Sequence, residues 1–294
     1  MVGKELTKHL LAKGNEVALL SRNPNKVKDV PAFYWNPLKN EIDENCISDV
    51  DYIINLAGAG IADKRWTVQR KKLIMESRTS GAEILANLLK DCKRKIKYIA
   101  ASAIGYYGDR GQEVLDVEST PGTGFLSESV LAWESASRSI TTSGANVYIL
   151  RIGIVLSTKG GALAKMLPSY SFKLGSYFGN GSQIYSWVHI VDLVRIFGFL
   201  MEQSQESANG MVFNAVAPHP VSNKQLAHTI NTAGKFGAIV VSAPTFALKF
   251  ALGEMAAVVL DSTNVKGHKL EGLGFKFRWP TIDSALVDIL ENGK

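Results

Sequence analysis

Short, continuous runs of apolar residues alternate with longer segments of helical periodicity through the first half of this 294-residue chain. Runs of this kind, bounded by turn residues, are typical of strands that are buried on both faces. The pattern predicts strands at 17–20, 52–56, 98–101 and 147–150, with helices ending at Gly14 and spanning 70–90 and 126–142. We therefore predict an α/β fold built on a doubly wound parallel sheet.

The amino-acid composition of the chain changes after Gly153. Residues 158–187 are rich in glycine, serine and aromatic residues, which suits either loops over a ligand cleft or a plain surface excursion. Helical patterns return at 191–201, 223–232 and 245–260, and the tail predicts a strand at 275–279 and a last helix. We predict a nucleotide-binding domain at 1–165 and a smaller C-terminal lobe at 166–294, with a return to the first domain near 188–215.

Composition argues against several other classes of protein. The net charge is +6, but the basic residues are scattered, and the cluster at 70–72 lies in a helical pattern, where a solvated face is expected in preference to a nucleic-acid patch. Cys46 and Cys92 stand far apart without a CxxC motif, so we expect neither a disulfide nor a metal site, and a cytoplasmic location. The most apolar stretch, 244–260, is interrupted by charges, and no membrane span is expected.

The N-terminus has the pattern of a βαβ unit without its first strand. Dinucleotide-binding folds place a glycine-rich turn between the first strand and the first helix, where backbone N–H groups meet the pyrophosphate. Gly3 matches the last glycine of such a turn. We expect the strand and the other glycines to precede Met1 in the native protein, as they would if the start codon were misassigned.

The segment that follows the next predicted strand indicates which dinucleotide would bind. NAD-selective folds place an acidic residue there to accept hydrogen bonds from the ribose 2′-OH, whereas this chain has Ser21 and Arg22. A guanidinium matches a 2′-phosphate in charge and in planar geometry, and a hydroxyl can donate to the same group. The pair favours NADP; the alternative is a solvated basic loop.

The strand at 52–56 runs into a segment of small residues that includes Leu56, Ala57 and Gly58. Small residues at the carboxyl end of a parallel strand let a flat ligand approach the backbone closely, although an ordinary tight turn has the same composition. Arg78 lies on the following helix. It can reach a phosphate, or it can pair with Glu76 or another surface carboxylate.

The strand at 98–101 is followed by Ser102, Tyr106 and Tyr107. A serine and a tyrosine beside a bound nicotinamide can polarise a carbonyl and move a proton; a turn serine and packing aromatics are the alternative. We expect structural roles for His189 and Asp192. His189 would bind a backbone group, and Asp192 would cap the helix that follows. The chain has no HExxH, GxSxG or Walker motif.

Together these segments resemble the extended short-chain dehydrogenase/reductase superfamily, and within it an atypical epimerase-family branch. The similarity covers nearly the whole chain. The matching stretches are 14–22, 55–58, 61–66, 77–78, 102–108, 133–134, 151–156, 160–162, 179–190 and 251–255. The C-terminal segment resembles the small domain of unknown function that closes these proteins.

The resemblance implies a Rossmann domain with NADP along the carboxyl edge of its sheet. By position it implies cofactor contacts for Ser21, Arg22, Leu56, Ala57, Arg78 and Val155. The chain departs from the superfamily in two respects. Its relatives begin with a strand and a GxxGxxG turn, whereas this chain starts at what resembles the final Val2-Gly3 of that motif. The usual catalytic Tyr-xxx-Lys pair is also absent, and the sequence reads FLSESVL at 125–131 instead. In the usual pair, the lysine lowers the pKa of the tyrosine that transfers the proton.

These observations predict an NADP-dependent oxidoreductase or epimerase-like enzyme that acts on a small molecule, with Ser102 and Tyr106 or Tyr107 polarising its carbonyl. The alternative is a non-catalytic NADP-binding sensor or scaffold. Some members of the branch carry a cell-division-inhibitor label, which keeps that alternative open.

Overall fold

The computed structural model describes residues 1–92, 94–203 and 211–292. The helices are α1 Val2–Ala12, α2 Val68–Leu89, α3 Gly124–Arg138, α4 Gly161–Ser171, α5 Ile190–Glu202, α6 Asn223–Ala233, α7 Thr245–Leu252, α8 Ala257–Leu260, α9 His268–Gly272 and α10 Ile282–Val287. The strands are β1 Leu19–Ser21, β2 Ala32–Asn36, β3 Glu41–Ile42, β4 Tyr52–Asn55, β5 Lys97–Ala103, β6 Val114–Leu115, β7 Asn146–Ile152, β8 Ile154–Leu156, β9 Leu174–Phe178, β10 Ile184–Tyr185, β11 Trp187–His189, β12 Val212–Ala215, β13 Val221–Ser222, β14 Ile239–Ala243 and β15 Asn264–Val265.

The central sheet is parallel and has the strand order β12-β7-β5-β4. Its register places Ile99 of β5 opposite Ile54 of β4 on one side and Tyr148 of β7 on the other. A second sheet contains β1, β2 and β3, with β1 parallel to β2 and β3 antiparallel. Within the described ranges, β1 and β4 each pair with a strand on one side only. The predicted α/β fold with a parallel sheet is confirmed.

The two middle strands, β5 and β7, are buried on both faces because successive side chains point into different cores. Ile99 and Tyr148 lie in a core with α1 and α5, to which Leu6 contributes. Tyr98 lies in the core on the opposite face, with residues of α2 such as Leu85. Full burial of one such aliphatic side chain stabilises the fold by about 1.5–3 kcal/mol. The unbroken apolar runs of the sequence follow from this arrangement.

Lys97 is a charged residue inside the first of these strands. Its ammonium donates hydrogen bonds to the carbonyl oxygens of Leu200, Met201 and Gln203, at 3.1, 2.7 and 2.6 Å. These are carbonyls at the C-terminal end of α5, where the helix carries partial negative charge and lacks its own donors. Burial lowers the pKa of Lys97. The bonds anchor α5 to the sheet.

The C-terminal half of the chain contributes to both parts of the fold. β12 pairs with β7, and α5 packs on α1, so that α5 and β12 return to the first domain. Another core, formed by α4, α6 and α10, supports the smaller lobe. The division at 165/166 stays a prediction. In the part of the chain that the structure describes, no helix combines the length and apolarity of a membrane span.

The predicted strand at 275–279 is wrong: the segment has no regular structure. The backbone N–H groups of Arg278 and Trp279 donate to the carboxylate of Asp192 at 3.0–3.1 Å, so they are not available to a strand partner. Asp192 is fully buried. Asp192 therefore holds the C-terminal segment against α5, which is a structural role but not the expected helix cap. His189 caps α5 instead, because its Nδ1 accepts a hydrogen bond from the Val191 N–H at 3.1 Å.

Other elements differ from the sequence prediction as well, and two of them show why. The helical pattern at 245–260 is divided into α7 and α8, because Gly253 adopts a φ of +60°, which lies outside the helical region. The strand Ala32–Asn36 was not predicted; it pairs with β1 and places the side chain of Trp35 in the core.

Candidate cofactor and substrate site

The N-terminus of α1 lies beside the carboxyl ends of two strands. A Cβ on Gly3 would stand 3.8 Å from Leu56 Cδ1, just beyond β4. A Cβ on Gly161 would stand 3.3 Å from the carbonyl oxygen of Val155, in β8, and 3.6 Å from Met1 Cε. The fold thus brings Gly3, Leu56 and Val155 together. Helix N-termini present unpaired N–H groups and attract anions.

The loop after β4 is fixed by Asn55. Its side-chain oxygen accepts a hydrogen bond from the Ala57 N–H at 3.0 Å, and its side-chain nitrogen donates to Tyr98 at 2.8 Å. The backbone of Gly58 lies close to Arg78. A Cβ on Gly58 would stand only 3.1 Å from Arg78 Cζ. Only glycine leaves this space for the guanidinium.

Arg78 is held from α2 with its charge facing a cleft. The guanidinium donates to the carbonyl oxygen of Ile74 at 2.9 Å and lies 5.0 Å from the ring centre of Trp133. Burial, with a smaller contribution from Arg70, lowers the pKa of Arg78 to about 10. The group therefore keeps its positive charge at neutral pH.

Ser21 and Arg22 lie at the carboxyl end of β1. The Ser21 hydroxyl accepts a hydrogen bond from the Asn23 N–H at 3.1 Å, so it remains able to donate to a ligand. Arg22 is exposed, and it has no hydrogen bond or ion pair with the residues that the structure describes. Leu20, the residue before Ser21, packs against the same core as Ala57.

A cleft with a volume of about 220 Å³ lies between the ends of β5 and β7, helix α3 and the C-terminal segment. Its walls are mainly apolar, and the lining includes Arg78 and Asp261. Asp261 follows α8 in the C-terminal segment. Burial and, to a smaller extent, the charge of Asp109 raise the pKa of Asp261 to about 6.

The Ser102 and Tyr107 hydroxyls belong to a buried hydrogen-bond network beneath this cleft. Ser102 donates to Glu134 at 2.7 Å, and Arg151 donates to both oxygens of the same carboxylate at 2.8 and 3.0 Å. Arg151 also donates to the Tyr107 hydroxyl at 3.0 Å, which donates to Asn214 at 2.8 Å. Every member of the network has a partner, as a buried polar network requires.

The three predicted catalytic residues therefore lie close together, but none of them lines the cleft. Ser102 is 3% exposed and Tyr107 is fully buried. The ring of Tyr106 is half-buried, and the Arg151 guanidinium lies 3.3 Å from its centre. A substrate would reach the two buried hydroxyls only after the network had opened, and the catalytic role of these residues stays a prediction.

Helix α3 faces the cleft with apolar side chains where the superfamily has its Tyr-xxx-Lys pair. Leu126, Val130 and Trp133 line the cleft, together with Ser129. The Ser129 hydroxyl donates to the carbonyl of Leu126 at 2.8 Å. No acid or base faces the cleft from this helix.

The sequence analysis missed the roles of Glu134, Arg151 and Asp261. Glu134 and Arg151 stood in stretches that carry the family resemblance, but nothing in their spacing indicated that they pair in the interior. Asp261 had no sequence signal, because its place in the cleft depends on how the C-terminal segment packs against the loop at 104–111.

A parallel sheet with a helix N-terminus and small residues at its carboxyl edge defines a Rossmann-type dinucleotide-binding protein. The comparisons agree with this class. The chain belongs to the NAD dependent epimerase/dehydratase family, whose model matches residues 1–215. Residues 243–289 match a domain of unknown function.

Similar proteins are known in several organisms. An epimerase family protein of Staphylococcus saprophyticus is 37% identical over 292 residues, covering 99% of this chain and 96% of its own length. One from Staphylococcus aureus is 34% identical over 293 residues, with the same coverage. The structure of a human epimerase family protein, SDR39U1, with NADPH superimposes with a TM-score of 0.85 at 28% identity, covering 99% of this chain and 96% of the human one.

A fourth protein is similar over part of its length. The nucleoside-diphosphate sugar epimerase from Corynebacterium glutamicum superimposes with a TM-score of 0.79 at 31% identity, and the match covers 99% of this chain and 56% of that one. The family resemblance in the sequence is therefore confirmed.

Proposed function

We propose that this protein is a cytoplasmic oxidoreductase of the epimerase type, which binds NADP and transforms a small molecule in the cleft. The observation that carries the proposal is the convergence of Gly3, Leu56 and Val155 at the N-terminus of α1. The NADPH in the human relative supports the choice of cofactor. Free thiols at Cys46 and Cys92 suit a reducing compartment.

The residues present fit a dinucleotide. The N–H groups of the first turn of α1 are available to a pyrophosphate, and the glycine at position 58 keeps the strand end open. Ser21 and Arg22 offer a donor and a cation to a 2′-phosphate, and Arg78 offers a second cation between the strand end and the cleft. When bound there, a nicotinamide dinucleotide supplies hydride transfer.

The residues proposed to polarise the substrate are Ser102 and either Tyr106 or Tyr107. For this role the Ser102 hydroxyl would exchange its bond to Glu134 for one to a substrate oxygen. The mainly apolar wall formed by α3 offers few hydrogen-bond partners to water, and a substrate that displaces this water would strengthen the hydrogen bonds made inside the cleft.

A second candidate function is a non-catalytic NADP-binding sensor or scaffold, linked to cell division as in some members of the branch. Two observations favour it: the hydroxyls of Ser102 and Tyr107 are both engaged within the protein, and α3 lacks an acid or base in the cleft. In this case the dinucleotide would stabilise one conformation for a partner.

The choice of cofactor is tested with Arg22→Asp. We expect this change to weaken NADPH binding at least about tenfold, because it replaces an attraction for the 2′-phosphate with a repulsion. NADH binding should not change. Lys28→Asp, at another exposed position of the same loop, is the charge-matched control. Equal losses for both cofactors would show that Arg22 does not read the phosphate.

The choice between enzyme and sensor is tested by incubating the protein with NADPH and a panel of carbonyl compounds. Loss of NADPH absorbance that Ser102→Ala abolishes would support the enzyme. Tight NADPH binding without turnover of any compound would support the sensor.

A further inference from the structure

Asp261 is a carboxylate held in place at the wall of the cleft. Its own N–H donates to the Ala257 carbonyl at 3.0 Å, and the next residue, Ser262, is held by several hydrogen bonds. The Ser262 N–H donates to Asp109 at 3.1 Å, and its hydroxyl accepts from the Ile184 N–H at 2.8 Å. These bonds fix the backbone on both sides, so the position of Asp261 does not depend on its side chain.

The carboxylate itself has no hydrogen bond or ion pair within the described ranges of the chain. Two other polar groups of the cleft bond elsewhere and not to Asp261: the Tyr185 hydroxyl donates to the Val259 carbonyl at 2.6 Å, and the Arg78 guanidinium donates to the Ile74 carbonyl and lies against Trp133. A partly buried charge without a partner costs free energy, and such a cost is commonly found where a ligand supplies the partner. The raised pKa of Asp261 agrees with this cost.

We propose that Asp261 determines the specificity of the cleft, by pairing with the ammonium group of a small ligand whose remainder is apolar. A hydroxyl could donate one hydrogen bond but would leave the negative charge uncompensated, whereas an ammonium group compensates it. A metal ion is a poor match because it needs several oxygen ligands, and no group of three potential ligands exists among the residues described.

The other residues that line the cleft determine the size and polarity of the rest of the ligand. Apolar side chains such as Leu126, Val130 and Ile152 form its walls, and its volume of about 220 Å³ is sufficient for one ring or a short branched chain. Arg78 lies at the side that the proposed function assigns to the cofactor, so the amine is expected on the side of the C-terminal segment. That the amine is a substrate rests on the proposed function. Amine binding itself does not require the dinucleotide.

The test compares benzylamine with benzyl alcohol, which has nearly the same shape but no charge. We expect calorimetric or NMR titration at about pH 8 to show benzylamine binding at least about tenfold more tightly than the alcohol. Asp261→Asn should remove this preference and leave the binding of the alcohol unchanged. Asp283→Asn, at an exposed aspartate of α10, should leave both affinities unchanged.

Equal binding of the two probes to the wild-type protein would overturn the proposal, and so would a preference that survives Asp261→Asn. Thermal unfolding of each variant verifies that it is folded. An NADPH titration on the same samples separates the two proposals: NADPH binding without amine preference contradicts only the role of Asp261, and amine preference without NADPH binding contradicts only the proposed function.

Discussion

Asp261→Asn should stabilise the folded protein above pH 6. The pKa of this carboxyl is about 6 in the folded chain and 3.8 as its ordinary value, and each pKa unit corresponds to 1.36 kcal/mol. The full difference would therefore cost the wild-type protein about 3 kcal/mol once the group is ionised. Because the side chain is partly exposed, solvent screening reduces the expected gain to about 1–1.5 kcal/mol.

The sign of the pH dependence follows from proton binding. Between about pH 4 and pH 6 the folded state holds a proton that the unfolded state releases, so the stability of the wild-type protein falls as the pH rises through this window. Asparagine has no such proton. Below about pH 4 the variant and the wild-type protein should have the same free energy of unfolding. Between about pH 4 and pH 6 the variant should become the more stable of the two, and above about pH 6 the difference should be constant.

The assay is thermal or urea unfolding of both proteins at a series of pH values. An advantage of about 1–1.5 kcal/mol corresponds to about 1.5–2.5 °C in Tm for a chain of this size. A variant that is less stable than the wild-type protein at pH 8 would contradict the placement of an unpartnered carboxylate in the cleft. An advantage that is the same at every pH would show that its origin is not the charge.

Other predictions concern the buried network and the strand end. Glu134→Gln should lower the free energy of unfolding by about 3–5 kcal/mol in urea denaturation, because it leaves Arg151 buried without its counter-charge; a loss below about 1 kcal/mol would contradict the burial of this pair. Gly58→Ala should weaken NADPH binding about fivefold to tenfold by displacing Arg78. Gly272→Ala, where a Cβ meets no atom within 4 Å, is the control and should bind NADPH as the wild-type protein does.

The sequence predicted the sheet well because the middle strands have a local signature. β5 and β7 are buried on both faces, and this requirement produces unbroken apolar runs that can be read without knowing the partners. The segment at 275–279, FKFRW, is richer in aromatic residues than either strand but forms no strand. Its amides are bound by Asp192, 86 residues or more away in the sequence, and no local pattern carries that information.

The candidate site was predictable only in part, for the same reason. Ser21 and Arg22 are predicted from their place at the end of a strand, which the chain order alone determines, and the structure places them at the carboxyl end of β1. Ser102 is bound by Glu134, which follows it by 32 residues, and Asp261 reaches the cleft only through the folding of the C-terminal segment. Interactions that depend on packing between distant segments leave no spacing rule in the sequence.

The most direct test of the central claim is a calorimetric titration of the wild-type protein with NADPH and, separately, with NADH. We predict binding of one NADPH per chain, at least about tenfold tighter than NADH, because only NADPH brings a 2′-phosphate to Arg22. Absence of binding by either dinucleotide would contradict the assignment of the cofactor site at the N-terminus of α1.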